Sequence, residues 1–170
     1  MTEQKLYEEG WERFPWWWIL LENLLYFVPW TIGFVAMYPL QVGGIPIVSL
    51  AYAVFILVTV GWLLRLHNCS TCYYYDKWCR YGWGKYTALL CKKDAGNPET
   101  GMKLTVIYMI LPLIPIVGAV AVMLLGGFSW TLVGWMVVFI VLNGVQFAVL
   151  RPKGCAHCKK RYVCPGSAAK

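Results

Sequence analysis

The chain has 170 residues, of which 59 % are hydrophobic and 14 % charged, with a formal net charge of +7. Ordinary soluble domains are about 45–50 % apolar and about 25 % charged. The composition therefore excludes a disordered chain and argues against a water-soluble globule, because so short a chain has too much surface for so few charges to cover.

The first 13 residues hold four acids and two bases. Tyr7, Trp11 and Phe14 fall on one face at helical spacing, so the segment 1–13 is expected to be interfacial and amphipathic, with 3–13 helical and lying flat at the membrane surface. An acid-rich start, an overlong apolar stretch after it and no small-residue cleavage site argue against a secretory leader. Pro15 suits the first turn of a helix, and Trp16, Trp17 and Trp18 suit headgroup depth. Four stretches then reach the roughly 20 apolar residues that a spanning helix needs, near 14–40, 45–66, 104–125 and 128–150. They predict a transmembrane hairpin over 14–66, a connecting loop over 67–103, a second hairpin over 104–150 and a tail over 151–170. Pro112 and Pro115 predict a kink inside the third span. Gly118, Gly126, Gly134 and Gly144 are candidates for close helix contact.

All fifteen Lys and Arg residues lie in the N-terminal segment, the 67–103 loop, the tail or their helix junctions. The turns at the other ends of the hairpins carry none. Short loops rich in Lys and Arg stay cytoplasmic, so a multi-pass protein of the cell (plasma or inner) membrane is expected, with both termini cytoplasmic.

The second span ends Arg65-Leu-His-Asn-Cys69-Ser-Thr-Cys72, with Cys79 following. The fourth ends Arg151-Pro-Lys-Gly-Cys155-Ala-His-Cys158, with Cys164 following. This resemblance predicts two parallel helical-hairpin repeats, each closed by a cysteine module. Paired CxxC motifs in a reducing compartment are a strong metal signal. The expected ligands are Cys69, Cys72, Cys79, Cys155, Cys158 and Cys164, with Cys91, His67 and His157 as additional candidates. Three ligand sets stay open. One is a joint site of Cys69, Cys72, Cys155 and Cys158. Another is two separate sites completed by Cys91, His67 or His157. The third is an iron–sulfur cluster. Thiolate-rich sites favour zinc or iron–sulfur over hard metals, and zinc is the leading expectation.

Between the cysteines, Tyr73-Tyr-Tyr-Asp-Lys-Trp-Cys79-Arg-Tyr-Gly-Trp-Gly-Lys85 interleaves aromatic and basic residues. An interface with anionic lipid headgroups is expected here rather than nucleic acid. Residues 85–93 carry a pattern compatible with a short surface helix.

Glu22 is the only acid inside a span. Asn143 and Gln146, one turn apart, and Thr59 lie at a similar depth, which predicts a polar cluster. An intramembrane carboxylate is a functional candidate by default, so Glu22 is the one catalytic candidate. In such a cluster Glu22→Gln would be tolerated, and Glu22→Leu would weaken packing by roughly 0.6–2 kcal/mol.

These readings together predict an all-α, four-helix transmembrane bundle with a cytoplasmic Cys-rich cap. The expected role is a membrane-embedded subunit or anchor whose metal site docks a cytoplasmic or membrane protein partner. The competing expectation is a membrane redox enzyme or electron-transfer protein, or an enzyme acting on a lipid or quinone.

Overall fold

A computed structural model describes residues 6–164 and 166–169. Among them the chain forms five helices and no strand: α1 (Trp16–Met37), α2 (Ile47–Cys69), α3 (Trp83–Leu90), α4 (Pro98–Gly126) and α5 (Trp130–Ala156). All but α3 are long and apolar enough to cross a membrane.

The ends of these helices have local causes. Helix α4 starts at Pro98 rather than near 104. The Asn97 side chain accepts the Glu99 N–H at 2.8 Å, Pro98 fills the first turn, and Glu99 places a negative charge there. The expected kink is a break at 111–112, because Pro112 has no N–H to continue the ladder. Helices α2 and α5 run past the apolar stretches to Cys69 and Ala156 through wide π-type turns at Leu57–Leu63, Arg65–Cys69 and Gln146–Leu150. The first cysteine of each module therefore still sits on a helix.

Helix α1 is the hub, touching α2, the second half of α4 and α5. One core gathers Met37 from α1 with Tyr52, Ile56, Val60 and Leu64 of α2, Trp83 of α3 and Leu111 of α4. A second joins Ile32 and Ala36 to Ala119, Met136 and Phe139. The Ser49 hydroxyl donates to the Phe34 carbonyl at 2.9 Å, tying α2 to α1. Close approach of α1 and α4 depends on Gly33, where an added Cβ would stand 2.7 Å from Pro115 Cγ and 3.2 Å from the Tyr52 hydroxyl. Gly118 packs on Met37, as its small size suggested, but a Cβ added at Gly126, Gly134 or Gly144 would meet no other element within 4 Å, so no close helix contact depends on these three.

The N-terminal segment differs from expectation. Its described residues, 6–15, form turns and bends rather than a helix. They run alongside the tail, with Tyr7 N–H donating to the Lys159 carbonyl and Trp11 N–H to the His157 carbonyl, both at 2.8 Å. The periodic aromatics find these backbone and ring partners instead, so tertiary contact overrides the helical pattern. Only Trp16 and Trp17 of the Trp triplet face outward; Trp18 is buried. The strap before α1, the connection between α2 and α4, and the tail thus meet at one end of the bundle. The other end carries the uncharged turns 38–46 and 127–129.

Gly33→Ala is expected to cost about 1–3 kcal/mol through overpacking against the Pro115 ring, while Gly134→Ala should be neutral or slightly stabilising through helix propensity. Thermal unfolding of both variants in detergent checks this; equal stability would show that α1 and α4 are not in tight contact at Gly33.

Candidate functional site at the charged end

Glu22, one and a half turns into α1, is fully buried. Its carboxylate is fully engaged. Arg80 Nη2 sits between its two oxygens, 2.7 Å from Oε1 and 3.0 Å from Oε2. Trp18 Nε1 donates to Oε1 at 3.1 Å, and Gln146 Nε2 donates to Oε2 at 2.6 Å. Arg80 is held in turn. Its Nη1 donates to the Arg151 carbonyl at 3.2 Å and points at Cys155 Sγ at 3.7 Å, and its guanidinium lies 4.5 Å from the Tyr81 ring centroid. A Cβ at Gly154 would stand 3.1 Å from the guanidinium, tighter than ordinary contact, so glycine there lets Arg80 sit without shifting. Asn23 donates to the Tyr81 carbonyl at 3.1 Å, and the Tyr26 hydroxyl donates to the Tyr81 hydroxyl at 2.8 Å, anchoring the loop beside Arg80.

The expected polar cluster is therefore real for Glu22 and Gln146 and absent for the other two. Asn143 Nδ2 donates to the Phe139 carbonyl and Thr59 Oγ1 to the Phe55 carbonyl, each within its own helix. Arg80, Trp18, Asn23, Tyr26 and Tyr81 were missed. One signal was present: a carboxylate inside a span calls for a cation, and Arg presents the planar fork that suits a buried pair. Its selection among the loop cations depends on the loop's path.

Around this pair the three segments interlock. The Tyr74 hydroxyl donates to the Trp11 carbonyl at 2.6 Å and accepts the Lys159 N–H at 3.1 Å; burial pushes this phenol up from its ordinary pKa. Phe14 N–H donates to the Trp78 carbonyl at 2.9 Å. The Trp11 ring stacks on His157 at 4.2 Å. Glu12 accepts from the Tyr73 hydroxyl at 2.6 Å and faces Lys159 at 3.0 Å and Lys77 at 3.6 Å. The Tyr73 hydrogen bond, then Lys159, hold its pKa down from 4.5 to about 2. The loop's aromatic run is thus spent largely on internal contacts, and Lys85 pairs with Asp76 at 2.8 Å.

All seven cysteines are free thiols. Cys72, Cys79 and Cys158 pack on one cluster of Phe14, Trp18, Tyr74 and Leu150, so the two modules converge. Cys69 and Cys79 also touch the core of α2 and α3. Burial pushes the Cys158 thiol up to about 11 and raises Cys72 as well; the Lys160 and Tyr74 backbone N–H groups, bonding to the respective sulfurs, pull the other way. The negative charge of a neighbouring Cys164 thiolate adds to the rise in both. Cys91 stands apart at the end of α3, where its carbonyl accepts the Tyr75 hydroxyl at 2.8 Å. Each histidine has one ring nitrogen occupied: His67 Nδ1 accepts the Asn97 N–H at 3.0 Å, and His157 Nδ1 lies 2.9 Å from the Lys153 carbonyl. Among the described residues, no three His, Cys, Asp or Glu side chains stand in a geometry that holds a metal.

Arg80 changes the expectation for Glu22→Gln. Removing one partner of a buried ion pair leaves an uncompensated charge and costs about 3–5 kcal/mol, so Glu22→Gln should be strongly destabilising rather than tolerated. Glu22→Gln combined with Arg80→Met should recover most of the loss, which unfolding of the single and double variants measures.

Glu12 makes a second expectation. Its depressed pKa means that it stabilises the strap fully above about pH 4.5, and that this is lost as the pH falls through about 2. Protection factors of the Tyr7 and Trp11 amides, which divide out the intrinsic pH dependence of exchange, should fall over that range, and Glu12→Gln should lower them at neutral pH and remove that fall.

Comparison of the chain with protein-family models, with curated proteins and with solved structures found no match.

Proposed function

We propose that this protein is a membrane-embedded subunit or anchor whose charged end is cytoplasmic, is closed by a cysteine-bound metal ion, and docks a cytoplasmic or membrane protein partner. The observation that carries the reading is the convergence of Cys72 and Cys158. These come from modules far apart in sequence and pack on the same buried aromatic cluster. Zinc suits such a set, because it binds thiolates without redox chemistry and adds its binding energy to folding.

Four apolar helices support a membrane location, and the Lys and Arg asymmetry supports cytoplasmic termini in a plasma or inner membrane. Helix α3 presents Tyr86, Leu89 and Leu90 outward. With the nearby lysines, that face suits the boundary with anionic lipid headgroups. The opposite end offers only short uncharged turns. Among the described residues, every charged side chain, histidine and cysteine therefore lies toward the basic side. The buried Glu22 is saturated by Arg80, Gln146 and Trp18, which favours a structural role for it over a catalytic one.

Purification under argon followed by metal analysis tests the proposal. The expected result is a colourless protein with stoichiometric zinc, and no labelling of its thiols by a membrane-impermeant reagent applied to intact cells. A brown, iron- and sulfide-containing protein would instead make it an electron-transfer protein. A metal-free protein whose thiols form a defined disulfide would make it a dithiol redox enzyme. Efficient labelling of Cys79 or Cys91 from outside would overturn the orientation.

A further inference from the structure

We infer that Arg65 binds the phosphate of an anionic phospholipid, with one of the lipid's acyl chains lying in the notch that Gly61 leaves on α2. This gives the headgroup contact proposed for α3 a defined site. It rests on the membrane location and is independent of the metal reading.

Arg65 differs from the neighbouring arginines. Arg80 is paired with Glu22, and Arg151 Nη2 and Arg161 Nε donate to the Gly166 and Ala169 carbonyls at 3.0 and 2.6 Å. Arg65 Nε is buried without a hydrogen-bond partner, and among the described residues its guanidinium enters no ion pair. Aromatic faces hold it in place, with its central carbon 5.1 Å from the Trp83 ring centroid and 6.0 Å from that of Tyr86. Such contact orients a guanidinium and attracts it, but leaves its charge and its hydrogen-bond donors uncompensated. A cation partly withdrawn from water at the end of a span calls for an anion. The residue as a whole is half-buried. With Nε facing the protein, the Nη edge is the one left for an outside acceptor. That fork matches two oxygens of a phosphate.

The surroundings identify the source of that phosphate. Arg65 lies in the last turns of α2, where the apolar span meets the charged end. About one turn below it, a Cβ added at Gly61 would meet nothing within 4 Å, and the adjoining Trp62 is exposed, as are Val54 and Val58 further down. A strip of apolar surface thus runs up to an uncompensated cation. On the other side of Arg65, α3 exposes Tyr86, Leu89 and Leu90. A free phosphate would gain nothing from apolar surface on both sides. A phospholipid places its phosphate at the boundary and its chain along α2, so it uses both features. The chain carries a net charge of +7, and Lys92 and Lys93 follow α3 without an ion pair among the described residues. An anionic headgroup therefore suits this end better than a zwitterionic one, whose ammonium group would add to the positive charge.

The test uses the full chain in detergent, titrated with phosphatidylglycerol, phosphatidylcholine or inorganic phosphate and followed by native mass spectrometry. The expected result is that the first phosphatidylglycerol binds about tenfold more tightly than phosphatidylcholine, and that millimolar inorganic phosphate does not displace it. Arg65→Gln should remove most of that preference, and Arg65→Lys, which keeps the charge without the fork, should remove part of it. Gly61→Leu fills the notch without touching Arg65 and should weaken binding severalfold. It enters open space, so it keeps the test decisive if the Arg65 variants fail to fold, which thermal unfolding checks. Lys92→Gln with Lys93→Gln should weaken binding less than Arg65→Gln does. Equal affinity for the two lipids, unchanged binding in Arg65→Gln, or a larger loss in the double lysine variant would overturn the site. Unchanged binding in Gly61→Leu would overturn the placement of the acyl chain, and displacement by inorganic phosphate would overturn the lipid as its ligand. A chain that stays in solution without detergent would overturn the membrane location itself, whereas the metal content of the same samples tests the metal reading separately.

Discussion

A carboxylate taken out of water on the hub helix requires compensation, and Glu22 meets that requirement with Arg80. A buried charge without a partner is far more costly than the pair itself, so the loop that supplies Arg80 must return to α1 rather than extend into solvent. The other features at this end follow from that return. Gln146 and Trp18 fill the remaining lone pairs of the carboxylate. The Arg151 carbonyl takes a second guanidinium donor, and Gly154 leaves the space that the guanidinium occupies. One ion pair thereby links the first span, the connecting loop and the fourth span, which are otherwise distant in sequence.

Below that point the bundle is held by ordinary close packing. Helix α1 touches the other three spans, and Gly33 against Pro115 lets two helices approach more closely than side chains would otherwise allow. The Pro112 break turns the second half of α4 onto α1, while the first half lies along the charged end of α2. Above it, directional polar contacts dominate. Tyr74 spans the strap and the tail with one hydroxyl, and Glu12 gathers Tyr73, Lys159 and Lys77. The two regions answer to different forces: dispersion and shape in the apolar half, hydrogen bonds and charge at the end where the chain leaves it.

The thiols lie where these two regimes meet. Their burial disfavours ionisation of Cys72 and Cys158, while backbone N–H donors and Lys160 favour it. Under the reading proposed above, a bound divalent ion would supply the missing positive charge and make thiolate the preferred form. In the proposed role the metal would do for the cysteine modules what Arg80 does for Glu22.

The sequence alone determined the four long apolar helices, the break at Pro112, the gathering of charge at one end and the presence of a polar pair in Glu22 and Gln146. Each is a local or periodic property: apolar run length, a missing N–H, the placement of Lys and Arg, and a helical spacing that sets depth. Only the tertiary structure decided that Arg80 is the counter-ion, that Asn143 and Thr59 bond their own helices, and that residues 6–15 form a strap on the tail instead of a helix. It also decided that Gly33, and not Gly134 or Gly144, makes a close helix contact, and that the two cysteine modules converge. The physical reason is the same in each case. These outcomes depend on which segments meet in space. A side chain such as Arg80, 58 positions from Glu22, carries no mark in the sequence of where its loop will return.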